Sequence, residues 1–330
     1  MGLCIWACHV YYNEAMDKYD VIIIGAGAAG LAAALYTTRR TLKTLVVSGD
    51  MGGQTATTND IENYPGVDFA TGPDLMDRFA KQAKKFGADI KLAWVKSIAK
   101  SNGDFDLTLH DDSVVSGRSV IICAGKKHRH LDVPGEEEFA NKGVVYCATC
   151  DAPLFQDKSV VVVGGGSAAF DAALLLSKIA KDITLIHRRD SFKAESILVE
   201  KAKQETNIKY LLNSSIKEIK GDAFVNSVIV NTTDGEQELA TEGVFVEIGQ
   251  YVDADFIGDL VDLNESGEII IDTFGQTSTP GVFAAGDITT VPFKQTVISA
   301  GEGAKAALAV YNYLLGRDPG TNFADQGYVK

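Results

Sequence analysis

The residues best suited to chemistry are Cys147-Ala148-Thr149-Cys150-Asp151. Two cysteines separated by two residues can close a disulfide within a short loop. Once reduced, the same loop lets one thiolate attack a mixed disulfide made by the other. Asp151, beside Cys150, can hand a proton to a departing thiolate. Half of a zinc site would need two further cysteines or histidines at a matching spacing, and none appear. A buried structural pair is the bland alternative, and the motifs around this one weigh against it. Cys4, Cys8 and His9 make three candidate ligands without a fourth, so no metal is expected there.

Two glycine motifs flank the cysteines. Gly25-Ala26-Gly27-Ala28-Ala29-Gly30 follows an apolar run and opens a helix. In such a G-x-G-x-x-G, the first glycine makes the tight turn. The second lets backbone approach a pyrophosphate, and the third lets helix pack on strand. The anion then sits on the helix N-terminus. Gly164-Gly165-Gly166-Ser167-Ala168-Ala169 repeats the design with alanine last. After its second strand an NAD site would carry an acid for the ribose 2′-hydroxyl. This chain carries His187-Arg188-Arg189, with Lys193 beyond. Guanidinium groups pair with a phosphate dianion, so the second site reads as NADPH. Gly286-Asp287 follows the strand "GVFAA" and precedes a helix. There an aspartate can accept from ribityl hydroxyls, which points to a flavin at the first site.

The elements that must hold these residues are legible as apolar runs. Val21–Ile24 reads as a buried parallel strand, Leu31–Tyr36 as a helix and Leu45–Val47 as the next strand. Val160–Val163, Ala168–Ile179 and Ile183–Ile186 repeat that βαβ order, the mark of a duplicated nucleotide-binding fold. Phe105–Leu109, Val120–Cys123, Val244–Ile248 and Val282–Ala285 read as further strands, and Ser299–Leu314 as a helix. Lys126 to His130 reads as a solvated basic linker balanced by the glutamates of "VPGEEE". The fold class is therefore α/β with two Rossmann-like domains.

Composition bounds the partners. The 330 residues suffice for two domains, and 46% hydrophobic with 23% charged residues is the balance of a globular protein. A net charge of -13 disfavours nucleic acid and anionic membranes as partners. No apolar run is long enough to span a bilayer. Five cysteines with one tight pair suit a reducing, cytoplasmic setting better than a secreted disulfide framework. Residues 1–15 lack a basic start, and their apolar stretch is broken by His9 and Asn13. They read as a disordered extension rather than a signal peptide. No thioredoxin-like segment precedes the first strand, so a self-contained peroxiredoxin reductase is not expected.

"GAGAAG", "GGQTATTNDIENYPG", "CATCDAP", "GGGSAA", "HRRDSFKAE" and "GVFAAGD", in this order, give the chain a close resemblance to the low-molecular-weight thioredoxin reductases. The resemblance runs from about Asp17 to Leu315. It implies an FAD domain made of residues 16–127 and 250–330, with an NADPH domain, 128–249, inserted and carrying the cysteines. It implies FAD contacts at the first glycine motif, Gly53, Gln54, Asn63, Val95, Gly125, Gly286, Asp287, Gln295 and Thr296. NADPH contacts are implied at Gly164, Gly166, Ser167, Ala168, His187, Arg188, Arg189, Lys193, Ile248 and Gly249. By the same resemblance Cys150 is the sulfur near the flavin, Cys147 attacks thioredoxin and Asp151 is the general acid. A thioredoxin or thioredoxin-like partner and a homodimer follow as expectations, as do alternating orientations of the two domains. Another disulfide carrier, a small disulfide, or a dithiol oxidase running the other way are the rival activities. Lys193 stands where an arginine is frequent, and Lys294-Gln295-Thr296 where Arg-Gln-Ala is common.

Overall fold

The structure, a computed structural model, describes residues 18–58 and 61–321. The extension expected at residues 1–15, with Cys4, Cys8 and His9, lies outside them. The chain begins with parallel strands β1 (Tyr19–Ile24), β2 (Thr44–Ser48) and β3 (Asp89–Leu92), linked by α1 (Ala28–Thr38) and α2 (Gly72–Lys85). A meander follows of β4 (Val95–Ser101), β5 (Asp104–Leu109) and β6 (Val114–Ile122), and the end of β6 pairs in parallel with β1. In β1, Val21 and Ile23 enter one core while Ile22 and Ile24 enter the other. Side chains alternate across a strand, so a sheet covered on both faces needs an unbroken apolar run.

Strand β7 (Lys127–His128) then carries the chain to a second sheet. There β8 (Val144–Val145), β9 (Ser159–Val163), β10 (Asp182–Ile186) and β11 (Ile208–Leu211) are joined by α3 (Ala148–Asp151), α4 (Ser167–Leu176) and α5 (Ser196–Gln204). An antiparallel meander of β12 (Ser215–Gly221), β13 (Val225–Thr232) and β14 (Gly235–Ala240) leads to β15 (Gly243–Val246), which lies between β8 and β9. The design of the first sheet recurs. Val160 and Val162 enter one core, and Val161 and Val163 the other. Strand β16 (Gln250–Tyr251) returns the chain, β17 (Val282–Ala284) pairs with β6, and α6 (Thr296–Leu314) packs on α1. A Cβ at Gly303 would lie 2.0 Å from the Ala29 carbonyl oxygen, so only glycine lets α6 approach α1 this closely.

The two crossings are tied to each other. Strands β7 and β16 pair antiparallel, Lys127 bonds Asp253 at 2.7 Å, and Arg129 lies over the Tyr251 ring at 5.5 Å. The basic stretch is thus not balanced mainly by the glutamates that follow it. Lys126 reaches Glu268 at 2.6 Å, and only His130 approaches a following glutamate, Glu136, at 3.5 Å. Helix α4 stops at Leu176, short of Ile179, because the Asn207 amide takes the Ser177 and Ala180 carbonyls at its end. Helix α6 starts before Ser299, at Thr296, on an extended Gln295.

Candidate functional site

A cavity of about 1120 Å³ opens between the carboxyl ends of the first sheet and the turn that carries the cysteines. It is larger than the roughly 300–1,000 Å³ of ordinary small-molecule pockets, and suits a dinucleotide. Gly25, Ala26, Gly27, Ala28 and Ala29 form one wall. Gly25 stands at φ +104°, and a Cβ there would meet the Cys123 carbonyl oxygen at 2.4 Å. Gly27 is different: a Cβ on it would point into open space, its nearest neighbour the Gly52 carbonyl 3.9 Å away. Bare backbone is thus offered to whatever fills the cavity. Gly30 lies outside the lining, and its missing Cβ would fall 1.8 Å from the Gly25 carbonyl oxygen. It is the helix-packing glycine that the motif requires.

The N-termini of α1 and α4 are open, a feature they share with α5 and α6 but not with α2. Helix α2 is closed by Thr71, whose hydroxyl accepts from the Asp74 amide at 3.2 Å. Helices α1 and α4 start on Gly27 and Gly166, with no side-chain cap and no acid in the first turn. Their first N–H groups are left for an anion. The other expected flavin residues converge on the same cavity: Gly53, Gln54, Asn63, Val95, Gly125, Gly286, Asp287, Gln295 and Thr296 all line it. The Asn63 amide bonds Gln295 at 3.4 Å, the Thr55 and Thr296 hydroxyls meet at 3.1 Å, and Asp287 accepts from Ser299 at 2.8 Å. A bare glycine wall, an uncapped helix and a positioned aspartate fit the pyrophosphate and ribityl chain of FAD.

The cysteines close the far side. Cys147 and Cys150 form a disulfide, their Cα atoms 5.3 Å apart, and both line the cavity with Asp151. The amides of Cys150 and Asp151 donate to the Cys147 carbonyl at 3.2 and 3.1 Å, which folds the four residues into the single turn α3. Cys123 also lines the cavity, but it is buried, and burial pushes its thiol up to about 12. It therefore stays a protonated, inert neighbour.

Of the expected nicotinamide-nucleotide residues, only Ala168 and Gly249 reach this cavity. Gly164, Gly166, Ser167, His187, Arg188, Arg189, Lys193 and Ile248 do not. They gather instead at the carboxyl end of the second sheet. The amides of Lys193 and Ala194 donate to the Gly165 carbonyl at 2.8 and 3.2 Å, folding the basic segment over the glycine loop. Arg188, Arg189 and Lys193 are exposed, with no ion-pair partner among the described residues. The His187 ring lies so close over Gly165 that a Cβ there would come within 2.2 Å of it, and His187 Nε2 meets the Ser191 carbonyl at 3.1 Å. Burial, with the two arginine charges, holds that imidazole below its ordinary value.

Sequence reading missed several cavity residues. Lys126 and Lys294 share the Glu268 carboxylate at 2.6 and 3.2 Å. Trp94 packs so tightly on Gly49 that a Cβ there would overlap its ring, and Lys127 lies 5.7 Å from the ring centre. Asp171 of α4 and Glu247 after β15 line the cavity beside the cysteines. Lys126, Lys294, Trp94 and Glu247 owe their places to partners distant in sequence, so no local motif announced them as cavity residues.

A family model for pyridine nucleotide-disulphide oxidoreductases matches residues 19–305. A thioredoxin reductase of Mycolicibacterium smegmatis is 40% identical over 93% of this chain and 100% of its own length. An NADH dehydrogenase of Bacillus subtilis is 38% identical over 92% of this chain, which spans only 60% of that relative's length. Among solved structures, the thioredoxin reductase of Streptococcus pyogenes superposes with a TM-score of 0.86 at 37% identity, covering 91% of this chain and 99% of its own. That of Lactococcus lactis, described as the FR conformation, reaches only 0.64 at the same 37% identity, over 91% of this chain and all of its own.

Proposed function

The chain belongs to the pyridine nucleotide-disulphide oxidoreductase family, and on that premise we propose that it is an NADPH-dependent thioredoxin-disulfide reductase. Family membership brings FAD and a nicotinamide nucleotide as cofactors. The observation that carries the proposal is the Cys147–Cys150 disulfide standing in the wall of the flavin-shaped cavity. When bound, FAD and the nicotinamide nucleotide together supply the two electrons that open this disulfide.

The chain's own residues do the rest. The Gly25 to Gly30 loop and the start of α1 would hold the FAD pyrophosphate and Asp287 its ribityl hydroxyls, with Asn63, Gln295 and Thr296 offering further polar contacts from the same cavity. Arg188, Arg189 and Lys193 select the 2′-phosphate by charge-assisted bonds. With the pair reduced, the Cys147 thiolate attacks one sulfur of the partner's disulfide and forms a mixed disulfide, expelling the partner's other sulfur as a thiolate. Asp151 gives that leaving group its proton. The Cys150 thiolate then attacks Cys147 Sγ, which restores the internal disulfide and releases the second partner sulfur as a thiolate. Thioredoxin or a thioredoxin-like protein is the partner, the assembly a homodimer and the cytoplasm the compartment. Among the described residues no helix is long and apolar enough to cross a membrane.

The test is NADPH oxidation by the purified holoenzyme with and without the host's thioredoxins. Turnover that depends on a thioredoxin, with NADH much poorer, is the expected result. Oxidation unaffected by any thioredoxin and driven only by oxygen would favour the second reading. That reading is an oxidase using NADH, of which the B. subtilis relative's name supports the use of NADH alone.

A further inference from the structure

Glu247 is a carboxyl that the exchange steps leave unused. It follows β15 at the point where the chain leaves the second sheet, one residue before Ile248 and Gly249 lead into the β16 crossing. Its own backbone is anchored, the amide donating to the Val163 carbonyl at 2.8 Å and the carbonyl pressed against Gly164. Its side chain turns back into the cavity and accepts from the amide of Ala148 at 3.3 Å. Ala148 is the residue directly after Cys147, inside the redox turn.

The surroundings are poor in countercharge. Among the elements packed around Glu247, α4 brings Asp171, and α3 brings Asp151 and the two sulfurs. Strand β9 and the Gly164 to Gly166 loop bring no titratable group. Burial pushes the Glu247 carboxyl up to about 7, with the Ala148 amide opposing and the Asp171 charge adding. A group poised there changes its charge in the range where a thiol beside it also ionises, and two like charges in one wall disfavour each other.

We propose that Glu247 is a positioning residue for the cysteine pair: its carboxylate holds the Ala148 amide and, through its charge, sets how readily Cys147 ionises once the disulfide is open. The inference rests on the reading of that pair as redox-active, and its test needs neither thioredoxin nor NADPH. At acid pH the carboxyl is neutral and leaves the thiol alone. As pH rises through the Glu247 titration, the new negative charge raises the Cys147 thiol and holds back its thiolate. The arrangement therefore restrains the free dithiol where an unguarded pair would react with stray electrophiles.

The experiment compares the holoenzyme with Glu247→Gln and Glu247→Ala. Each is reduced with dithiothreitol, desalted without oxygen and alkylated with iodoacetamide from about pH 5 to about pH 9. Labelling of Cys147 is followed by mass spectrometry of the peptide it shares with Cys150, fragmented between the two to assign the label, and this peptide is separate from those of Cys4 and Cys8; protonated Cys123 is the internal control. Glutamine keeps an oxygen for the Ala148 amide but never carries charge. Its profile should move to lower pH, with labelling about twofold faster near neutrality, where half of Glu247 is charged, and rising toward about tenfold, one pK unit, above that titration while the thiol is still mostly protonated. The two profiles should converge at the acid end, and Glu247→Ala should show the same pH-dependent gain. Superimposed profiles for wild type and Glu247→Gln would overturn the proposal. So would a constant factor at every pH, or a change confined to Glu247→Ala, since each describes a structural role without charge.

Discussion

The loop at Gly25 and the loop at Gly164 meet the same backbone demand. Each first glycine faces a carbonyl across the turn, that of Cys123 in one loop and of Glu247 in the other, with only 2.4 and 2.3 Å for a missing Cβ. Each opens an uncapped helix at the carboxyl ends of parallel strands. Their surroundings differ. The first loop forms a wall of a cavity closed by the disulfide, whereas Arg188, Arg189 and Lys193 stand beside the second, out on the surface. On the function proposed above, one fold used twice would bind the two dinucleotides, and what lies opposite each loop would divide the labour. In this arrangement the loop proposed for the nicotinamide nucleotide is outside the cavity that its cofactor would have to reach. The lower superposition on the L. lactis structure at equal identity fits a second arrangement of the same two units.

The largest effect that would sharpen this contrast comes from the sulfurs. Cys147→Ser and Cys150→Ser should each lower turnover with a protein disulfide by several orders of magnitude. Anaerobic bleaching of the flavin by NADPH should survive in both, because that step lies on the other side of the division and needs no sulfur. Retained thioredoxin turnover in Cys147→Ser would reverse the assigned order of exchange. A block nearly as complete is expected from a reversible cross-link that spans the cavity and holds the cysteine turn against the first loop. Stopped-flow reduction by NADPH should then fail and return when the cross-link is cut. Hydride acceptance at the normal rate in the locked protein would mean that the units need not move, and the contrast between the loops would lose its mechanistic content.

A smaller effect is expected at the second loop. Each charge-assisted bond to a 2′-phosphate contributes about 1.5–3 kcal/mol, or about 10- to 100-fold in affinity. Arg188→Ala and Arg189→Ala should therefore each raise the NADPH KM by that order and leave the NADH KM nearly unchanged. Equal losses for both nucleotides would remove the 2′-phosphate from the role assigned to these residues. The loops would then differ only in position and not in the chemistry they select.

What the amino-acid sequence determined by itself was whatever depends on near neighbours in the chain. Glycine spacing answers a local steric demand, and alternating burial makes a two-sided strand an unbroken apolar run. Both βαβ units, the cysteine turn and the basic edge at Arg188 and Arg189 were legible for that reason. The end of α4 was not, because the Asn207 amide that bonds the carbonyls there lies about 30 residues further along the chain. The tertiary structure alone decided which loop faces the disulfide. It also set Lys126 and Lys294 on Glu268, across 142 and 26 residues of chain, and Glu247 on the amide of Ala148, across 99. Desolvation and electric field at a side chain are set by every group around it in space, and a motif records only those beside it in sequence.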